Sequence, residues 1–551
     1  MPKQRIVRVQ FGIDGNAAMW KHVEDNCRYW LARTDNFRKN TLKKYARLYK
    51  GTPINETKNT PWPNAANNVI QLIATQCDTI LARVMSIYMV DPLWTLKLLG
   101  ELEDAADSQE MKSLVEGFMG DSALDSDALD MYRIEQSWWS GSCRNGTGVI
   151  KIPYQYTIER QIIDMEGIDA PGYKPAFKDF TRYDGPRPEN VPLNRWVSDL
   201  NYSRLADSPF KFEICPLSKY QLLERAELGL YPQAKVDKII NQPDRNGADE
   251  VQQYIEQTQG IQEGFAENNC GAQYDILEVW FNYWHNGQKF SLVAHTHLLS
   301  NTNLVAFYNY YPDNMCIYED AKFAYDDDQY LGYGLAEMLK GYQDEVSTHH
   351  NQRTDAGTLN NTTAFRINKN SKLRSILTFY PGIMIPADKD EIERLDTANQ
   401  FAIDINSENL TVSYAKERSG IDPAIGGTGG GIVNPKRGIY SSGGTFAVLQ
   451  QRNDRTSLRT SDMRNAHTRA GDKIGKIYSH FGIGNRYRAY GTDSEKLKEA
   501  FKLMADGRLG LLLKPTSASI NKEMEKQNDI LLSQNLERLY AGDAQILQVL
   551  G

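Results

Sequence analysis

Apolar residues recur every three or four positions through the first part of the chain. Residues 15–50 carry Trp20, Val23, Trp30, Leu31, Phe37, Leu42, Tyr45 and Leu48 among Arg38, Lys39, Lys43, Lys44 and Arg47, which predicts a helix with a solvated basic face. After the loop Thr60-Pro-Trp-Pro-Asn-Ala-Ala-Asn-Asn, the residues Val69, Ile73, Ile80, Val84 and Ile87 predict a core helix that Asp91-Pro92 stops. A further amphipathic helix is expected from Ser108 to Ser137, with Met111, Val115, Phe118, Leu124, Leu129 and Ile134 inward, leading to Trp138-Trp139.

At Gly146-Thr-Gly148 the period changes to two. Ile150, Ile152, Tyr154, Tyr156 and Ile158 alternate with polar residues, and a mixed sheet is expected to begin here. Strand-like runs return at 211–215, 274–284 and 290–297, around a helical piece at 220–240 and a polar stretch at 241–269. The first 330 residues therefore read as α+β.

Helical spacing resumes from Leu331 to about Asn360, with Leu335, Met338, Tyr342, Val346 and His349 on one side. A β-like insert, Thr363 to Ile385, follows. Pro386 is expected to open a second helix bearing Ile392, Leu395, Ala398, Ala402 and Ile405. Gly426-Gly-Thr-Gly-Gly-Gly431 and Ser441-Ser-Gly-Gly444 offer too few side chains for a packed core and predict a mobile loop. Helices are expected over 446–481 and 493–506, a strand over 487–490, and a helical tail from Ser517 to Leu550.

Composition narrows the class. The 551 residues are 41% hydrophobic and 24% charged, which excludes bulk disorder. The length suggests several units, yet no repeat or Gly/Ser linker separates them, so one elongated subunit is expected. A net charge of -7 excludes a global polycation, so any nucleic-acid contact is local. Six cysteines stand singly without a CxxC pair, which argues against a zinc cluster and for reduced, packed thiols. The opening segment lacks an apolar core and no uncharged run of about 18 apolar residues occurs, so a soluble chain made in the cytosol, with no membrane partner, is expected.

No catalytic constellation emerges. GxxxxGK[ST], GxSxG and HExxH are missing, and no strand leads into a GxGxxG turn. His295 and His297 share a strand face without a third ligand, His349-His350 point to different sides of a helix, and Asp326-Asp-Asp328 reads as a helix N-cap region. No metal and no cofactor are expected. The informative charge pattern is a stripe at 3,4 spacing, Arg452, Arg455, Arg459, Arg469, Lys473 and Lys476, interrupted by Asp462 and Ala466. Beside it lies an apolar face of Met463, His467, Ala470, Ile474, Ile477 and Phe481. The stripe is a solvated or salt-bridged face on a lone helix. Multiplied around a ring, it could hold phosphates without reading bases.

The order of these elements, together with Thr60-Pro-Trp-Pro-Asn-Ala-Ala-Asn-Asn, Gly146-Thr-Gly-Val-Ile-Lys-Ile-Pro, Tyr183-Asp-Gly-Pro-Arg-Pro-Glu-Asn-Val-Pro, Gly332-Tyr-Gly-Leu-Ala-Glu-Met-Leu-Lys-Gly-Tyr-Gln-Asp-Glu-Val and Asn351-Gln-Arg-Thr-Asp-Ala, resembles the portal (head-to-tail connector) proteins of short-tailed double-stranded DNA bacteriophages. The resemblance covers most of the chain. It implies a non-enzymatic ring, usually of twelve subunits, at one capsid vertex of the virion, assembled in the host cytoplasm. DNA would be packaged through it and later ejected.

Carried onto this sequence, the resemblance implies an α/β wing at 1–330, closed by 482–516, and stem helices at 331–362 and 387–416. It places a clip at 363–386, a tunnel loop with its following helix at 417–481, and a crown at 517–551. Channel contacts to DNA would come from Lys436, Arg437, Arg452, Arg455, Arg459, Arg469, Lys473 and Lys476. Tunnel-loop flexibility would come from Gly426, Gly427, Gly429, Gly430, Gly431, Gly443 and Gly444, and clip docking from Phe365, Arg366, Lys369, Lys372 and Arg374. The implied partners are further copies of the chain, double-stranded DNA, the terminase large subunit, head-to-tail adaptor or tail proteins, the major capsid protein and a scaffold. Competing readings are a tail adaptor or other structural virion protein and, behind these, a hydrolase or nuclease, which would need clustered carboxylates or histidines in a cleft.

Overall fold

A computed structural model describes residues 7–55, 57–60, 63–89, 93–98, 106–125, 127–162, 177–241, 273–326, 329–361, 364–369, 392–395, 401–420, 442–482, 494–506 and 509–512. It is a mixed helix and sheet fold of the α+β class. Helix α1 (Ile13–Asn36) runs through one π turn, Phe37–Thr41, into α2 (Leu42–Lys50). The basic face expected here is only partly solvated, because the π turn carries Arg38 into a buried position.

Five antiparallel strands form the largest sheet, in the order β10 (Thr302–Tyr308), β9 (Gln288–His297), β8 (Gln273–His285), β7 (Phe210–Ser218) and β6 (Trp196–Ser198). Alternation sends Phe210, Phe212 and Ile214 of β7 toward α1, where they pack with Met19, Val23, Cys27 and Trp30. The opposite face, with Trp280, Val293 and Phe307, joins the main core. Covered on both sides, the sheet carries short apolar runs such as Val279-Trp-Phe281 on β8 and Leu292-Val-Ala294 on β9.

Against that second face lies a three-stranded sheet, β11 (Tyr318–Lys322), β2 (Thr147–Lys151) and β5 (Glu189–Val191), also antiparallel. The mixed sheet expected from the sequence is thus antiparallel at every described pairing. Strands β3 (Tyr154–Ile162) and β4 (Phe177–Pro186) form a separate ribbon. Behind the three-stranded sheet pack α3 (Leu72–Tyr88), α4 (Ala106–Leu124) and α5 (Met131–Asn145). The single helix expected over 108–137 is therefore two helices. It breaks at Asp130, whose left-handed φ of 47° no helix interior allows. The helical piece at 220–240 likewise divides into α6 (Lys219–Glu227), opened by a Ser218/Gln221 capping box, and α7 (Gln233–Ile240).

Helix α8 (Leu335–Asn361) starts seven residues after Asp328, so the acidic triplet does not cap it. It presents Gln343, Ser347, Asn351 and Asp355 at four-residue steps, about 6 Å apart along its axis. Two residues of extended chain advance about 6.6 Å. The segment 66–70 uses this match, running antiparallel to the helix, and Ile73 in the first turn of α3 adds one more contact. The Ala66 N–H donates to Asp355 Oδ1 (2.8 Å), Asn68 N–H to Asn351 Oδ1 (2.8 Å), Ile70 N–H to Ser347 Oγ (3.1 Å) and Ile73 N–H to Gln343 Oε1 (3.0 Å). Gln343 also donates to Leu48 O (2.7 Å). The Asn-rich string and the Asn351-Gln-Arg-Thr-Asp string are thus the two sides of one buried polar ladder.

Helix α8 leads to β12 (Ala364–Ile367), which pairs antiparallel with β13 (Ile392–Leu395) before α9 (Phe401–Ser419). This corrects the helix expected from Pro386. Ile392 and Leu395 lie in a strand, and the second helix begins at Phe401. Helices α8 and α9 are antiparallel: Thr411 donates to Glu345 (3.1 Å), while Glu408 meets Arg353 (3.2 Å) and His350 (3.5 Å). Helix α10 (Ser442–Phe481) takes Gly443 and Gly444 into its first turns, so those two residues belong to a helix and not to a flexible loop. Its predicted apolar face is buried, with Met463, His467, Ala470, Ile474 and Ile477 at most 2% exposed and Phe481 half-buried. Helix α11 (Ser494–Ala505) packs on it, and β14 (Leu509–Leu512) returns to pair with β1 (Thr95–Leu98). No helix among the described residues is long and apolar enough to cross a membrane.

Candidate functional site

Two charged clusters occupy the body of the fold. In the first, the register of β7 and β8 puts Glu213 directly opposite Glu278, and that of β8 and β9 puts Glu278 opposite His295. Like charges in a cross-strand pair repel. Lys151, at the end of β2, reaches in from the neighbouring sheet, its Nζ 2.6 Å from Glu278 and 3.2 Å from Glu213. Tyr318 OH donates to Glu213 (2.9 Å), and Trp280 Nε1 donates to Glu278 (2.9 Å). Burial raises the Glu278 carboxyl, but Lys151 overrides it and holds the acid down at about 2.

Glu213, Cys215 and Glu278 offer ligand atoms within 4.8 Å of one another. They do not fit a metal ion, because the Lys151 ammonium already lies between the carboxylates and burial pushes the Cys215 thiol up, away from the thiolate. His295 Nδ1 and Tyr231 OH share a hydrogen bond (2.8 Å), and His297 Nδ1 meets Ser300 Oγ (2.6 Å). Burial lowers both histidines to about 4, so both rings are neutral at pH 7.

The second cluster lines a cavity of about 1200 Å³ between β11, the loop before β7 and α10. Here the basic stripe of α10 meets acids of β11. Glu319 is buried and accepts from Arg469 Nε, while Lys473 stands 2.7 Å away. Arg469 also donates to Asp320 O (2.9 Å) and lies 3.6 Å from Asp462. Asp462, the interruption in the stripe, accepts the Lys322 N–H (2.7 Å) and Tyr325 OH (2.5 Å). Lys322 sits over the Tyr330 ring, 4.7 Å from its centroid. Seven cations and five acids line the cavity, an excess suited to a polyanion at its mouth.

Asp320 is the stressed member. Burial, then Glu319, pushes its carboxyl up to about 6 from the ordinary 3.8. The folded state therefore holds this proton more tightly than the unfolded chain, and ionisation above pH 6 opposes folding. Asp320→Asn should be more stable than the wild type at pH 8 by roughly 1–3 kcal/mol. That advantage should fade as pH falls from 6 toward 3.8. Urea midpoints at pH 8, 6 and 4 measure it, and parallel pH profiles for the two chains would contradict it.

Of the stripe residues, Arg469 and Lys473 come together on Glu319, and Lys476 pairs with Asp472 at 3.0 Å. Arg459 stitches three elements, donating to Met338 Sδ (3.1 Å) and Arg418 O (3.4 Å) and covering the Phe323 ring at 5.6 Å. Arg452 and Arg455 lie in α10, with side chains outside the described residues. Phe365 and Arg366 lie in β12, and Lys369 follows it, exposed. Lys372, Arg374, Gly426, Gly427, Gly429, Gly430, Gly431, Lys436, Arg437, the 487–490 strand and the 517–551 crown are outside the described residues.

Reasoning from sequence missed the Lys151 cluster and the polar ladder. Both left signals: a lone charge inside an apolar strand (Val149-Ile-Lys-Ile152, Ile276-Leu-Glu-Val279), and short polar hydrogen-bonding residues every fourth position on α8. Compared with models of known protein families and with curated proteins, the chain matches none.

Proposed function

We propose that the chain is the portal protein of a tailed double-stranded DNA bacteriophage, one subunit of a ring at a capsid vertex. The genome is packaged through this ring by the terminase motor and later ejected, and the ring docks the tail or its adaptors. The observation that carries this reading is the antiparallel pair α8 and α9, joined through the β12–β13 ribbon and rooted in the α+β body. Its 27 and 19 residues span about 40 and 28 Å at 1.5 Å per residue, a fit to a channel wall with a small β element at its tip.

Two further features favour a ring. Helix α9 leaves Leu410 and Tyr414, one turn apart, more than half exposed, as a surface that a neighbouring copy would cover. A chain of net charge -7 makes a strongly acidic ring that does not trap the duplex, while the cations near the α10 cavity give local holding points. Purified protein should assemble to about twelve times 62.6 kDa, as read by native mass measurement. A chain that stays monomeric, alone and in particles, overturns the reading.

A further inference from the structure

The cavity beside α10 carries more positive charge than its ion pairs use. Glu319, Asp320 and Asp462 meet Arg469, Lys473 and Lys322, the last 4.0 Å from Asp320, and Asp472 meets Lys476. Those four acids and four cations cancel. Arg204, Lys211, Lys289 and Asp313 also line the cavity, and none of them has an ion pair among the described residues. The surplus is two positive charges.

That surplus sits at one end. Asn309 donates to Ser291 Oγ (3.3 Å) and Met315 O (3.2 Å), which brings Asp313 to the end where Lys289 stands, two residues from Ser291. Arg204 and Lys211 stand together elsewhere. On β7, Phe210 and Phe212 turn toward α1, so Lys211 between them turns toward the cavity. Lys211 is 6% exposed, and its Nζ donates to Leu205 O (2.9 Å). A carbonyl takes one of its three donors and none of its charge. A buried ammonium without a counter-ion is costly, so an incoming anion gains from it. Arg204 adjoins Leu205 on the same loop, with its side chain exposed. The loop is pinned, because Lys322 Nζ donates to Ser203 O and Ser208 Oγ donates to Phe210 O (3.0 Å). An accessible guanidinium is thus fixed beside a buried positive charge.

We propose that this cavity binds a sugar phosphate, its phosphate on Arg204 with Lys211 behind it and its hydroxyls along Asn282 and Ser291. A phosphate monoester carries nearly two negative charges, which matches the surplus, and its oxygens suit the guanidinium fork. The cavity, at about 1200 Å³, is far larger than a bare ion needs. The register sets Asn282 opposite Ser291, and both are half-buried in the cavity wall. Their amide and hydroxyl groups match sugar hydroxyls. A second phosphate would meet only the balanced charges of Lys289 and Asp313. The site lies within one subunit, so its failure leaves the ring reading standing.

Calorimetric titration of the full chain with glucose-6-phosphate, inorganic phosphate and glucose tests this. The ester should bind saturably and at least about tenfold more tightly than inorganic phosphate, and glucose should give no heat of binding. Arg204→Glu, at an exposed loop position, should weaken ester binding by at least about tenfold. Arg204→Ala supplies the same test should the glutamate lower the thermal midpoint. Lys219→Glu, an equal charge change at an exposed position outside the cavity, should leave binding unchanged. Absence of saturable ester binding overturns the proposal. So does inorganic phosphate binding as tightly as the ester, ester binding that both Arg204 variants leave intact, or a loss in Lys219→Glu equal to that in Arg204→Glu.

Discussion

The Lys151→Met chain should unfold more readily than the wild type by about 3–5 kcal/mol at pH 7, because removing one partner of a buried ion cluster leaves uncompensated charge. Glu213 and Glu278 would remain face to face in the β7–β8 register with no cation between them. The pH dependence should change sign. In the wild type, Glu278 is held at about 2, below its ordinary 4.5, so its contribution is full above pH 4.5 and is lost as pH falls toward 2. Without Lys151, burial raises the Glu278 carboxyl unopposed, the folded state binds its proton first, and acidification toward pH 4.5 stabilises the variant. The gap between the two chains therefore narrows on acidification. Urea midpoints at pH 7 and pH 5 measure it. Adding Glu278→Gln to Lys151→Met should restore much of the loss, and a double variant no better than the single one would refute the charge argument.

Gly146→Ala should abolish folding at ordinary expression temperature, a loss of at least about 4 kcal/mol. A Cβ at this position would stand 1.9 Å from Gly332 O and 2.7 Å from Gly334 N, and φ is 94°. Both neighbours are backbone, so no rotamer change relieves the clash. Reciprocally, a Cβ on Gly334 would stand 2.3 Å from Arg144 O. Thr147 Oγ1 accepts the Gly332 N–H at 2.9 Å, which fixes the approach. The contrast is Gly341→Ala on α8, where a Cβ meets nothing within 4 Å; helix propensity there predicts a gain of about 0.5–1 kcal/mol. Soluble yield and thermal midpoint of the two variants separate the cases. A Gly146→Ala chain melting with the wild type would show that the junction can open.

Gly146-Thr-Gly148 and Gly332-Tyr-Gly334 are legible in the sequence as two separate strings. Their shared reason is this junction, where β2 and the approach to α8 meet backbone to backbone. The α10 helix shows the limits of such reading. Its apolar face was legible from 3,4 spacing alone, since that face is a local property of one helix. Its cationic stripe was legible as a pattern, but its partners were not. Glu319 lies 150 residues from Arg469, on a strand whose five residues are all buried.

The strand in place of the start of the expected second helix has a similar cause. Ile392 and Leu395 satisfy helical spacing as well as they satisfy a short strand, and the pairing of Ile367 with Ile392 decides the matter. Pairing energy is non-local, and a four-residue strand carries too little periodicity to announce itself. The four-residue strands β1 and β14 are silent in the sequence for the same reason, their pairing joining Thr95 to Leu512 across most of the chain.

The sequence by itself determined that long amphipathic helices and alternating strands share one α+β chain, and which faces of α3, α8 and α10 are apolar, because these follow from side-chain period within a single element. Tertiary structure alone decided which strands pair, where Lys151 and Asp462 find their partners, and how the Asn-rich segment docks on α8. Those outcomes depend on distances between residues far apart in sequence, set only when the elements close on a common core.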